Sequence, residues 1–446
     1  MRVCAVATML ARFGPTVVTK NRSQLRGNSA SRARTTNHIR SCAAKSPFLL
    51  CQGLIDMRAA VLAAALALSR ADVSALSLWT AYTGWPTCYR QPLLLRTGGT
   101  LLAVVEGRPG ISYCSGTDWP ATPDFPILVK RSTDSGASWS SAVNITRGNL
   151  DFLVAVVDAA GASGAPGRVL LLLQQGDTGV VQTHSDDGGA TWAAVAPAAL
   201  TTPPGIDALI PGVGHGLQVS SLRCLDASCG GTAGRLILPF VATKSGPVSN
   251  DTACGTCATA LVVSDDGGAS WALAAVSEQN GSREAALVQL DSAAAGTVGA
   301  AVYAAERNLG NSTGSRWHAL SLDGGRTFAR YGVDAALPDV TTANWTGVVA
   351  GLARFDAPGL PARPPRLFFT APNAAGARAN LTMWVSEDQA ATWSAPALQI
   401  FGGPAAYSDA LQINDTHVGV VFEGSPTEFA GGIWFSAVAA ASVGAA

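Results

Sequence analysis

The sequence is poor in charge. Only 13% of its 446 residues are Asp, Glu, Lys or Arg, and Lys+Arg and Asp+Glu balance at 30 each. A neutral chain of this kind has no bulk electrostatic reason to bind nucleic acid or an anionic membrane surface. It also lacks a long apolar run. The longest candidate, Ala59 to Leu68, is about ten residues and too short to span a bilayer. Paired metal-ligand motifs are missing as well. Cys254-Gly-Thr-Cys257 stands without a second CxxC or paired histidines, so neither zinc nor any other cofactor is expected. What the chain has in quantity is glycine, 48 residues of it, which suits an all-β architecture of many short strands and tight turns.

The N-terminal part has a different composition. Residues 1–56 carry nine basic side chains and one acidic one, Asp56, and read as a targeting or disordered extension, or as a mis-assigned start. Met57, Arg58, the apolar run and the small residues that follow read as a signal peptide over 57–75, leaving a single large domain over 76–446. The expected location is therefore secreted or the lumen of the endomembrane system, lysosome included. The alternative is an organelle addressed by the basic extension. Six cysteines follow the signal (Cys88, Cys114, Cys224, Cys229, Cys254, Cys257), an even count that favours disulfides. Seven Asn-x-Ser/Thr sequons also follow the signal, from Asn144 to Asn414, and suit passage through a glycosylating compartment.

One octapeptide sets the fold. It occurs as Ser132-Thr-Asp134-Ser-Gly136-Ala-Ser-Trp139 and again from Ser185, Ser264, Ser321 and Ser386, at intervals of 53, 79, 57 and 65 residues between those serines. The last copy has Ala390 where the others have glycine. Asp and Ser can bond the N–H groups of a tight turn, glycine supplies positive φ, and the terminal aromatic can pack back between strands. These repeats resemble the Asp boxes of sialidase-type propellers. The resemblance implies a six-bladed β-propeller with one box per blade, on the face away from the active site. The box aspartates are then structural. Boxes alone fix no activity, since non-catalytic propellers carry them too.

Outside the boxes the chain resembles the exo-sialidases from about Tyr89 to Gly424. Tyr89-Arg90-Gln91-Pro92 is similar to the family's Phe/Tyr-Arg-Ile-Pro motif, with Gln91 in place of Ile. Ala304-Ala-Glu-Arg307-Asn308 and Ala377-Arg378-Ala-Asn-Leu-Thr382 resemble the strands that supply the second and third arginines. The resemblance implies that Arg90, Arg307 and Arg378 clamp the substrate carboxylate, with Arg108 lining the same pocket. Arg283-Glu284 resembles the stretch bearing the catalytic base, with Arg283 where Asn is usual. Tyr407-Ser-Asp409 resembles the nucleophile segment, and Glu423 the glutamate that props the first arginine. For the acid/base aspartate the same loop offers Asp118 and, as the alternative, Asp124. Pro211 to Gln218 also resembles the family, but no chemistry is assigned to it and His215 reads as a loop residue. The implied partners are sialylated glycans, with no nucleic acid, no integral membrane segment and no stated oligomeric state. The implied reaction is retaining hydrolysis through Tyr407. The competing readings are a catalytically silent propeller that binds glycans or cargo, and a variant that transfers sialic acid or prefers its deaminated form. The silent propeller would be expected to lack the tyrosine or part of the arginine clamp.

Overall fold

The computed structural model describes residues 73–110, 114, 124–244, 256–309, 314–342, 346–357 and 365–444. The extension at 1–56, nearly all of the expected signal peptide, Asp118, Cys254 and the sequons at Asn250, Asn311 and Asn344 lie outside the described residues. Ala75, the last residue assigned above to the signal, is the first of the strand Ala75–Thr80.

The architecture is a β-propeller. Antiparallel strands follow one another as meanders, and among the described residues they pair in five sheets; dividing the seven-stranded one at its long strand gives six units, which fits six blades. The first runs from Cys88–Thr97 to Val143–Gly148, and the second from Leu150–Asp158 to Ala196–Pro197. The third uses Ala208–Pro211, Leu236–Thr243, Cys257–Ser264 and Trp271–Val276, and the fourth runs from Ser282–Leu290 to Arg330–Pro338. The long strand Leu398–Gln412 serves two units. Its start pairs with Ala377–Ser386 to finish the fifth, and its end pairs with His417–Gly424 to begin the sixth. The sixth is completed by Ala75–Thr80, which pairs with Gly432–Ala439. A strand from the start of the domain thus covers an edge that would otherwise be left open near its end.

Alternation along the strands explains the core. In Arg168–Gln175 five consecutive residues, Val169 to Leu173, are buried because both faces of the sheet meet neighbouring sheets. This is the continuous apolar pattern of a doubly covered strand.

The octapeptides are the devices that lock one blade to the next. In each, the Asp Oδ1 accepts the backbone N–H four residues on, as in Asp134 to Ser138 (2.9 Å) and Asp323 to Thr327 (3.0 Å). The leading Ser Oγ accepts a second N–H, from Gly136 in the first copy (2.8 Å) and from Ala390 in the last (2.8 Å). Hydrogen bonds from Ser138 hold the Asp134 carboxyl down to about 2. The box glycine matters because of what faces it. A Cβ at Gly268 would sit 2.6 Å from Leu170 of the preceding blade, on a backbone with φ of 90°. Ala390 adopts φ of 68° in the equivalent place, where the packing admits its methyl. Gly268→Ala should therefore cost about 2 kcal/mol or more in urea unfolding, from left-handed strain and overpacking. Ala390→Gly should stay within about 1 kcal/mol of the native chain. Equal effects at the two positions would refute the close-approach explanation.

Candidate functional site

Arg90, Glu284, Arg307, Arg378 and Tyr407 all lie on strands whose pairing register is broken. The first blade's inner strand shifts register between Arg90 and Leu93, and the fourth's between Arg283 and Ala286. The sixth's inner strand shifts between Ala405 and Ser408, which brackets Tyr407. Gln91 (φ 55°) and Glu284 (φ 45°) sit in the left-handed region, which is costly for residues with a Cβ. Bulges re-aim side chains that a regular pleat would send to one face or the other. Here they turn several strands toward one point.

That point is Tyr407. The guanidinium carbons of Arg90, Arg378 and Arg307 lie 5.3, 5.5 and 5.8 Å from the centre of its ring. Arg307 Nη1 donates to the Tyr407 hydroxyl at 2.8 Å and also to the Glu284 carboxylate. The same hydroxyl donates to Glu284, whose two oxygens stand 3.4 and 3.5 Å away. Arg283 Nη2 approaches Glu284 Oε1 at 3.6 Å from the other side. All of these groups are buried, with Tyr407 at 6% exposure and Arg378 at 7%.

Each arginine has a distinct support. Arg90 Nε donates to Glu423 Oε1 at 2.7 Å, and its Nη1 to the Cys114 carbonyl at 2.8 Å. A disulfide joins Cys114 to Cys88, two residues before Arg90. Arg307 donates twice to the Thr346 carbonyl (3.0 and 2.8 Å), and Arg378 Nη2 to the Gly347 carbonyl (3.1 Å). Residue 347 must be glycine: its φ is 65°, and a Cβ would lie 2.6 Å from Asp339 Oδ1 and 2.8 Å from Arg307 Cγ. Burial lowers the pKa of Arg378, and the like charges of Arg307 and Arg90 push the same way against Tyr407 and Glu423. The clustering of cations is thus costly without an anion in the pocket.

Arg108 belongs to the margin of this group. Its Nε donates to the buried Glu106 at 2.6 Å, and its Nη2 lies 3.8 Å from Asp151. Gln91 Nε2 donates to the same Asp151 oxygen at 3.3 Å. Asp124 is placed elsewhere in character. It is about half exposed and paired with Arg147, whose hydrogen bonds hold its carboxyl below the ordinary range. A carboxylate held ionised in this way is a poor proton donor near neutral pH. Asp118 lies outside the described residues.

His215 requires a correction. It is not a loop residue. It lies on the short strand Gly214–His215, which pairs in parallel with Val154 and Ala155. Its Nδ1 meets Asp409 Oδ1 at 2.8 Å. Burial disfavours the imidazolium, but the Asp409 charge and hydrogen bond outweigh it, and the pKa is raised. Asp409 Oδ2 also accepts the Leu94 N–H at 2.9 Å, so this carboxylate ties three segments together behind the Tyr407 strand.

Sequence reasoning missed Phe429, Phe152 and the carbonyl shelf at Thr346 and Gly347. Phe152 (φ 39°) lies at a register break of the second blade, 5.9 Å from the Arg283 guanidinium. None of the three has a motif. The only local signal was Pro92, which cannot donate to a ladder and so marks a break in an inner strand. Among the described residues no group of three or more His, Cys, Asp or Glu could hold a metal ion, and no helix is long and apolar enough to cross a membrane.

One further buried acid lies beside the site. Glu306 precedes Arg307 but faces Gln279, whose Nε2 donates to it at 2.7 Å, and Ser277. Burial raises its pKa from 4.5 to about 8. Below pH 4.5 the acid is protonated in the folded and unfolded chains alike, with no penalty. As pH rises from 4.5 to about 8 the unfolded chain gives up this proton and the folded chain keeps it, so stability falls across that window, by a few kcal/mol once the acid is fully ionised. Glu306→Gln should therefore unfold like the native chain at pH 5 and resist urea better at pH 9. The same difference at both values would rule out titration of this group.

Residues 123–420 match the BNR repeat-like domain family. A curated sialidase of Micromonospora viridifaciens is 28% identical over 368 residues, 76% of this chain and 50% of its own length. The chain therefore spans half the length of that relative. Among solved structures, the intramolecular trans-sialidase from Ruminococcus gnavus, in complex with oseltamivir carboxylate, aligns with a TM-score of 0.61 at 15% identity. That alignment covers 84% of this chain and 99% of the other. The Trypanosoma rangeli sialidase in complex with sialic acid gives 0.58 at 16%, covering 81% and 58%. At those identities the likeness is one of fold.

Proposed function

Because the chain belongs to the BNR repeat-like domain family, we propose that it is a retaining exo-α-sialidase that releases terminal sialic acid from glycans through a tyrosine nucleophile. One observation carries the reading: three guanidinium groups from three blades stand within 5.8 Å of one tyrosine ring, and its hydroxyl reaches a buried glutamate. A planar guanidinium offers a carboxylate two parallel charge-assisted bonds, so three of them suit a sugar whose anomeric carbon bears a carboxylate.

The same carboxylate argues for a phenol as nucleophile. A second carboxylate brought to that carbon would face a like charge, and at 4 Å with an effective dielectric of about 20 the repulsion is roughly 4 kcal/mol. A neutral phenol avoids it but needs a base, because phenols ionise near 10. Glu284 is placed to take the proton. Sialidases with a tyrosine nucleophile are a known exception to the two-carboxylate rule, and the reading places this chain among them. In the first step the Tyr407 oxygen bonds to the anomeric carbon, the glycosidic bond breaks, and Asp118 protonates the leaving oxygen. In the second, water attacks the anomeric carbon as Asp118 takes its proton. The tyrosyl bond breaks as water attacks, and Glu284 returns a proton to Tyr407. No metal is called for.

All five described cysteines, Cys88, Cys114, Cys224, Cys229 and Cys257, are disulfide-bonded, which supports an oxidising compartment such as the secretory lumen. The test is the configuration of the first sialic acid released from an α-sialoside, followed by proton NMR. Retention requires that the α anomer appear first. The β anomer first would replace the covalent mechanism with direct attack by water, and no release from any α-sialoside would remove the enzyme reading.

A further inference from the structure

We propose that Phe429 is a positioning residue for the carboxylate clamp, holding Arg90 and Arg378 by the face of its ring; this rests on the sialidase reading. The Arg90 and Arg378 guanidinium carbons each lie 5.4 Å from the centre of Phe429. They lie 5.3 and 5.5 Å from the centre of Tyr407. Two cations thus share two aromatic rings. An aromatic face is the negative end of a quadrupole and attracts a desolvated guanidinium without occupying its N–H donors. That distinction decides the matter here. A carboxylate such as Glu423 satisfies an arginine by consuming donors, whereas a ring leaves them directed at a ligand.

Phe429 is presented rigidly. It lies on the turn between His417–Gly424 and Gly432–Ala439, six residues after the Glu423 that props Arg90. Ser425 closes the turn: its Oγ donates to the Glu428 carbonyl at 2.7 Å and accepts the Glu428 N–H at 3.0 Å. Ala81 N–H donates to the Gly431 carbonyl at 3.0 Å, which pins the far side to the segment after the closing strand. The ring packs against a small buried cluster that includes Cys88 and Cys114. The hairpin therefore supplies a charge to one face of the clamp and a quadrupole to another. Phe429 packs against the apolar cluster that contains Tyr407 but carries no acid, base or nucleophile, so its effect belongs to binding.

The experiment compares the full chain with Phe429→Leu and Phe429→Tyr. Leucine keeps most of the apolar contact and lacks the quadrupole, while tyrosine keeps both. With a fluorogenic α-sialoside, Phe429→Leu should raise KM by about tenfold or more, with kcat within about twofold. Phe429→Tyr should restore KM to near the native value, and thermal melting should move little in either. An unchanged KM in the leucine variant, or equal impairment in both variants, would overturn the proposal. Tyr407→Phe on the same substrate separates this from failure of the sialidase reading. If the native chain releases no fluorophore, that reading falls, and the clamp is then tested by calorimetry with N-acetylneuraminic acid. Weaker binding by the leucine variant alone supports the role of the ring. No binding by the native chain overturns it.

Discussion

Tyr407→Phe is expected to leave a folded protein whose turnover of an α-sialoside falls by about 10³-fold or more. The ring is held by apolar neighbours that phenylalanine keeps: Val213, Val348, Val349 and Ala406. What disappears is one oxygen, which accepts from Arg307 at 2.8 Å and faces Glu284. Stability should change little, because Arg307 keeps its bonds to Glu284 and to the Thr346 carbonyl. The loss should fall on kcat and not on KM, since the arginines that hold the substrate remain. The measurement is steady-state kinetics with a fluorogenic leaving group, beside a urea melt. A variant retaining a tenth of native activity would show that the phenol is not the nucleophile. A variant that is inactive because it unfolds would show that Tyr407 is structural, and then the convergence of arginines on its ring would need another explanation.

The fold was more legible than the site, for a physical reason. An Asp box is a local device: Asp134, its serine and its glycine act within eight residues, so the octapeptide states its own conformation. Five copies then imply a propeller. The site is non-local. Arg90 and Glu423 are 333 residues apart, and Tyr407 and Glu284 are 123 apart, so only resemblance to a known order of residues could join them. The bulges that aim them have weaker signatures. Gln91 and Glu284 take left-handed conformations that neither residue type favours, so the sequence gives no warning of the strain. Phe429 and the Gly347 carbonyl act through a ring face and a backbone atom, groups that any aromatic residue or any peptide offers. His215 looked like a loop residue because a two-residue strand is too short to show alternation, and its partner Asp409 is 194 residues away.

Glu423→Gln should be the most damaging change that touches no reacting atom. Glu423 is wholly buried, and its carboxylate does three things at once. Oε1 accepts Arg90 Nε at 2.7 Å and the Gln91 N–H at 2.9 Å, while Oε2 accepts the Tyr407 N–H at 3.2 Å. It therefore joins the inner strand of the first blade to the bulge that carries Tyr407. Glutamine can preserve one side only. If its oxygen faces Arg90, its NH₂ confronts the Tyr407 N–H, donor against donor, and Arg90 keeps a buried charge without a counterion. Breaking such a pair costs about 3–5 kcal/mol. Both ends of the reaction should suffer, KM through Arg90 and kcat through Tyr407, so that kcat/KM falls by about 10²-fold or more. The sign of a double-mutant cycle checks the cause. Arg90→Met costs stability by leaving Glu423 buried and alone, and Arg90→Met with Glu423→Gln should cost less than the sum of the single changes, by about 2 kcal/mol in urea unfolding. Additive costs would mean that the carboxylate acts on the Tyr407 backbone alone. In that case Arg90 would be held by the Cys114 carbonyl and by the aromatic faces of Tyr407 and Phe429, and Glu423→Gln should lower kcat while leaving KM unchanged.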